Sequence, residues 1–123
     1  MSVIHLGADG FATTIRDNDT VVLDFWAEWC GPCRAFGPVF DEAAESHPDA
    51  VFAKVDTEAE PALAAMFNIR SIPTVVVVRD GIAVFRHAGM MAAAALDDVL
   101  AQVAALDMDD VGAAVAAEVG VNR

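Results

Sequence analysis

The chain has 123 residues, enough for one domain with a genuine core. Nineteen Asp and Glu against seven Lys and Arg leave a formal net charge of −12. That argues against nucleic acid and anionic membranes as partners, while suiting a solvated surface or partners with basic patches.

Much of the apolar content is alanine and valine, and its unbroken runs, such as Val75–Val78 and Met90–Leu96, fall far short of the roughly 20 residues that span a bilayer. The first Arg is Arg16, and no basic stretch precedes an apolar segment, so a secretory signal is not expected. With only two cysteines, both in one motif, a reducing cytoplasm is the natural home.

In chain order, Val3–Leu6 predicts a short first strand. Asp9 is placed to cap a short helix carrying Phe11 and Ile15 on one face. Val21–Ala27, rich in β-branched and aromatic residues, reads as a buried strand. The run Trp29-Cys30-Gly31-Pro32-Cys33 follows where that strand turns into a helix, and it holds both cysteines. Residues at i and i+3 of a helix are neighbours, at a separation a disulfide accepts, so the two sulfurs can bond and part with little backbone movement. The thiolate is the reactive form of cysteine, and a helix N-terminus favours the anion. Cys30 sits where that effect is strongest, and Pro32 suits the first turn because its missing N–H would have no intrahelical partner. Cys33 lies one turn deeper and is expected to be less exposed. Cys30 therefore attacks and Cys33 resolves. A purely structural disulfide normally closes a longer loop. A zinc site needs about four ligands, and His5, His47 and His87 are scattered without ligand spacing, so no metal is expected.

From Gly31 a helix is predicted to about Ser46, with Phe36, Val39, Phe40 and Ala43 near-periodic and a kink at Pro38. Val51–Asp56 is the next strand. Thr57-x-x-Glu60 resembles a capping box, with Pro61 in the first turn of a helix to about Phe67. Thr74–Arg79 and Ile82–His87 flank Asp80-Gly81, a strong two-residue hairpin signal. Leu96, Val99, Leu100, Val103 and Leu106 mark an amphipathic helix. Strands alternating with helices, then a late hairpin, imply an α/β fold with a mixed central sheet and helices on both faces. Residues 107–123 stand apart as an acidic, Ala/Val-rich extension. Asp109 or Asp110 is placed to cap a further helix there, with Val111, Val115 and Val119 at helical intervals, a spacing that suggests docking on the domain, while the acidic residues leave a mobile segment as the alternative.

Over roughly residues 1–106 the chain resembles the thioredoxin family. Phe25-Trp26-Ala27-Glu28-Trp29-Cys30-Gly31-Pro32-Cys33 is similar to that family's active-site signature. Asp24 falls where the family carries a buried acid, Lys54 where it places a nearby lysine, and Pro38 where it kinks the second helix. Arg70-Ser71-Ile72-Pro73-Thr74 matches the loop whose cis-proline faces the dithiol, and Gly81 and Gly89 match two further glycines. The resemblance implies the thioredoxin fold and a protein-disulfide reductase with no bound cofactor, working through a redox-active Cys30–Cys33 disulfide. Its electrons would come from NADPH through a flavoprotein thioredoxin reductase, its targets would be oxidised proteins, and the chain would act as a monomer. Arg34 replaces a frequent lysine, Ser71 a frequent glycine and Met90 a usually small residue, departures that bear on partner preference.

Within that frame Asp24 lies in an apolar strand where an unpaired charge is costly. Burial should raise its pKa and let it exchange protons with Cys33, with Lys54 modulating it electrostatically. Pro73 has no N–H and leaves the Ile72 backbone free to pair with an extended target segment. Trp29, Gly31, Pro32, Ile72, Ala88 and Gly89 would form a flat apolar platform around Cys30, while Phe25 and Trp26 belong to the core. Two alternatives stand beside a reductase. One is an oxidase or isomerase of the same fold, disfavoured by the Gly-Pro between the cysteines, since oxidising relatives usually carry His there. The other is a binding or chaperone-like module in which the dithiol is incidental.

Overall fold

The computed structural model describes the backbone of residues 2–119 and the side chains of residues 2–114. Its elements are β1 (Val3–His5), α1 (Ala8–Asp17), β2 (Thr20–Trp26), α2 (Gly31–Ser46), β3 (Val51–Asp56), α3 (Pro61–Met66), β4 (Thr74–Arg79), β5 (Ile82–Ala88), α4 (Ala93–Ala104) and α5 (Met108–Val119). The five strands form one sheet in the order β1-β3-β2-β4-β5. β3 pairs in parallel with β1 and β2, and β4 pairs antiparallel with β2 and β5. This is the mixed sheet the order of elements predicts.

Side chains on a strand alternate between faces, and both faces of the central strands are apolar because helices cover both. Val21, Leu23 and Phe25 of β2 pack with Leu6, Ala53, Val55, Leu63, Val76 and Val78, and with Phe11 and Ile15 of α1. Val22, on the opposite face, packs with Phe36 and Phe40 of α2, Phe52, Val75, Val77, and Leu96 and Leu100 of α4. The same alternation puts Asp24 on the face that α2 covers. That placement positions the site.

The Asp80-Gly81 turn takes φ values of 50° and 82°, the left-handed pair that a two-residue hairpin requires. Beyond it the β4–β5 register shifts at Val77/Val78, and both Val84 and Phe85 pack against the α4-side core. Leu96, Leu100 and Val103 are buried as the periodicity predicts, with Val99 half-buried and Leu106 lying past the helix end.

Three predicted caps are corrected. Asp9 does not cap α1: Gly7 is the N-cap residue, Asp9 lies in the first turn, and the Ala8 N–H donates to Glu60 Oε1 at 3.1 Å. With Glu60 turned towards α1, the Thr57–Glu60 capping box does not form. Thr57 Oγ1 donates instead to the Trp26 carbonyl at 3.2 Å, and the Asp56 carboxylate accepts from the Glu58 and Ala59 N–H groups at 2.9 and 3.3 Å. At α5 the cap is Asp107, whose Oδ1 accepts from Asp109 N and Asp110 N at 3.0 and 3.3 Å. Val111 is half-buried, whereas Ala113 and Ala114 are exposed. The side chains of Val115 and Val119 lie outside the described residues.

Candidate active site at the N-terminus of α2

β2 ends at Trp26, and the chain enters α2 through Cys30, the N-cap residue, with Pro32 in the first turn. Cys30 and Cys33 are joined by a disulfide with their Cα atoms 5.2 Å apart. The Cys33 N–H points at Cys30 Sγ, 3.2 Å away, and the Arg34 N–H donates to the Cys30 carbonyl at 3.2 Å. Of these two N–H groups only that of Cys33 is directed at the sulfur, which thus sits at the electropositive tip of α2.

The expected difference in exposure is small in the oxidised protein: Cys30 is 4 % exposed and Cys33 1 %. The disulfide packs against Ala27, Trp26 and Ile72, which covers both residues. What separates them is direction. Cys30 lines a groove of about 510 Å³, together with Trp29, Gly31 and Pro32 on one wall and Thr57, Ala64, Ile69, Arg70, Ser71 and Ile72 on the other; Cys33 does not line it. Trp29 is 68 % exposed at its rim. Cys30 Sγ lies 3.8 Å from the Ile72 carbonyl oxygen, and the Ile72–Pro73 peptide bond is cis. Apart from that sulfur contact, no backbone group among the described residues hydrogen-bonds the Ile72 N–H or carbonyl.

Of the predicted platform, Trp29, Gly31, Pro32 and Ile72 come together around Cys30. Ala88 and Gly89 do not line this groove. They end β5 beside it, where the Gly89 N–H donates to the Pro73 carbonyl at 2.8 Å, and Pro73 itself is buried. Sequence reasoning did not place Thr57, Ala64, Ile69, Arg70 and Ser71 in the groove, because that wall exists only once α3 folds back beside the tip of α2. The adjacent Arg70–Thr74 motif was the available signal.

Asp24 is fully buried, and neither of its carboxyl oxygens finds a hydrogen-bond partner among the described residues. Burial pushes its pKa up to about 7; Lys54 opposes that shift and Asp41 adds to it. Lys54 is the direct partner of Asp24 in the β2–β3 register, and its Nζ lies 4.6 Å from the centre of the Trp26 ring. The Trp26 Nε1 is likewise buried without a partner. Phe25 is fully buried, as expected, and Trp26 is half-buried. Among the described residues no group of three or more His, Cys, Asp or Glu is arranged to hold a metal, and no helix is long and apolar enough to cross a membrane.

A five-stranded mixed sheet carrying a C-x-x-C disulfide on a helix N-terminus beside a cis-proline defines a thiol–disulfide oxidoreductase. Comparison with known proteins agrees. The family model described as "Thioredoxin" matches residues 2–102. A protein of Streptomyces coelicolor (strain ATCC BAA-471 / A3(2) / M145) described as "putative thioredoxin 2" is 55 % identical over 115 residues, covering 94 % of this chain and 86 % of that protein. "Thioredoxin C-3" of Corynebacterium nephridii is 46 % identical over 89 residues, 72 % of this chain and 61 % of its own. Among solved structures, a mutant thioredoxin from Halobacterium salinarum NRC-1 superposes with a TM-score of 0.80 at 34 % identity, covering 85 % of this chain and 93 % of that one. The chain belongs to the thioredoxin family, with the thioredoxin fold and a disulfide reductase's cysteine pair.

Proposed function

We propose that the chain donates electrons to oxidised proteins in the cytoplasm as a monomer, with Cys30 attacking, Cys33 resolving, and residues 1–106 forming the working domain. The observation that carries this reading is the direction of the two sulfurs: Cys30 faces the groove and Cys33 does not. The Cys30 thiolate attacks one sulfur of a target disulfide; that S–S bond breaks, and the departing sulfur leaves as a thiolate. Cys33 then loses its proton towards the Asp24 carboxylate and attacks Cys30 Sγ. The mixed disulfide breaks, the second target thiolate departs, and protons from Asp24 and solvent complete two target thiols. The Cys30–Cys33 disulfide has taken the two oxidising equivalents. Lys54 moderates the proton affinity of Asp24 by charge.

Trp29, Gly31, Pro32 and Ile72 would hold the target against Cys30, with Pro73, Ala88 and Gly89 supporting the Ile72 edge. The Ile72 backbone, which no other backbone group engages, supports pairing with an extended target strand. The electrons that reopen the disulfide would come from NADPH through a flavoprotein thioredoxin reductase.

Insulin-disulfide reduction with dithiothreitol as electron source tests the activity, and a second run with NADPH and a thioredoxin reductase tests the partner. Cys33→Ser should accumulate mixed disulfides with oxidised targets on non-reducing gels. A Cys33→Ser protein that traps nothing, with Cys30→Ser trapping instead, would reverse the assigned roles.

A further inference from the structure

We propose that Arg86 of β5 is a positioning residue for target binding, holding the far wall of the Cys30 groove in register with the disulfide. This rests on the reading of Ile69–Ile72 as the edge that a target lies along. The last carbonyls of a helix have no intrahelical donor. At the end of α3 the carbonyl of the C-cap residue Phe67 is one of these, and Asn68, just past the helix in the left-handed region at φ 54°, presents a second carbonyl beside it. Arg86, paired with Val76 in the β4–β5 ladder, reaches both: Nη1 donates to the Phe67 carbonyl and Nη2 to the Asn68 carbonyl at 2.7 Å. Three residues on, just past the end of β5, the Gly89 N–H holds the Pro73 carbonyl at 2.8 Å. One strand therefore grips both ends of the segment 67–73.

Between these anchors the chain has fewer internal bonds. Ile69 N–H donates to the Ala64 carbonyl at 2.9 Å, and Thr74 Oγ1 donates to the Ser71 carbonyl at 2.6 Å. The residues hung between them, Ile69 to Ile72, form the groove wall. A guanidinium fork fixes two carbonyls at once, which an ammonium cannot do with the same geometry. Removing it frees one end of the wall, so a target must then order that wall on binding, at a cost in affinity. The sulfur chemistry is unaffected, because Arg86 touches neither cysteine.

The test measures KM and kcat for insulin reduction, the reduction rate of a small disulfide that needs no groove (glutathione disulfide), and thermal melting, for the wild type, Arg86→Ala, Arg86→Lys and the groove-filling Ser71→Trp. Arg86→Ala should raise KM for insulin about threefold or more, the size expected on losing one exposed charge-assisted contact. Its kcat and its rate on the small disulfide should stay within about twofold, and Arg86→Lys should recover part of the KM. The KM effect should persist at about 0.5 M salt, where a mere loss of surface charge is screened. An unchanged KM in Arg86→Ala while Ser71→Trp raises it sinks the proposal and leaves the groove reading standing. An unchanged KM in both sinks the two together. Parallel losses in KM, kcat, small-disulfide rate and melting temperature for Arg86→Ala and Arg86→Lys would make Arg86 a fold residue and overturn the assignment.

Discussion

Asp24 is buried with no hydrogen-bond donor among the described residues, and that burial sets the direction of its proton affinity. The native protein holds this proton to about pH 7, whereas the unfolded chain releases it near 3.8. Between those values the folded state binds one more proton than the unfolded state, so stability is fully present below the lower value and declines as pH rises through the window. The slope is about 1.4 kcal/mol per pH unit for one such group. Asp24→Asn removes the titration. Its urea-unfolding free energy should run flatter than the wild type's from pH 4 to 8, and it should be the more stable protein at the upper end by a few kcal/mol. The cost falls on function: resolution of the mixed disulfide should slow and lose its pH dependence near 7. Parallel stability profiles for the two proteins would mean that Asp24 is ionised throughout.

At the scale of elements, the strands, the hairpin and α2 were legible because their signals are local. Six or seven consecutive residues form each of β2 to β5, Asp80-Gly81 supplies its own turn, and α2 runs from Gly31 to Ser46 as its start signal and periodicity predict. The caps were not legible, because their partners are distant in sequence. Glu60 reaches 52 residues back to the first turn of α1, and a Cβ at Gly7 would come within 3.1 Å of that carboxylate. At α5 the misplacement is local: the sequence pointed to Asp109 or Asp110, and the backbone path makes Asp107, two positions earlier, the cap. Arg79 is a second distant cap. Its Nη1 donates to the carbonyls of Val103, Ala104 and Leu106 at 2.5, 3.2 and 3.3 Å, tying the end of β4 to the end of α4. Arg79→Ala leaves those carbonyls to water and to each other, and should cost about 1–3 kcal/mol in denaturant unfolding. Insulin reduction should be kept at temperatures where the variant is folded. A variant as stable as the wild type would show that solvent satisfies the α4 terminus equally well.

For the whole molecule, the two cores that clasp the sheet draw on residues up to Val103, and the family model ends at 102. The match to the Streptomyces coelicolor protein runs past that end. Asp107 caps α5 from within the segment, and of residues 111–114 only Val111 and Gly112 are half-buried. Removing residues 108–123 takes away the partial burial of Met108 and Val111, about 2 kcal/mol among the described side chains, so melting should fall by no more than about ten degrees and insulin reduction should be unchanged. A larger loss would mean that the extension is docked and belongs to the domain.

The charge of −12 acts at longer range. A net charge of that sign should favour the approach of cationic partners over anionic ones before any contact forms. Two disulfide peptides of equal length, one flanked by lysines and one by glutamates, isolate this effect from the chemistry. At about 0.05 M salt the basic peptide should be reduced faster through kcat/KM, and at about 0.5 M the two rates should converge as the screening length shrinks to a few ångströms. Arg34 and Arg70 near the disulfide work against the field locally, so a preference for the glutamate peptide that survives high salt would show that contacts at the groove rim, and not the molecular charge, select the target.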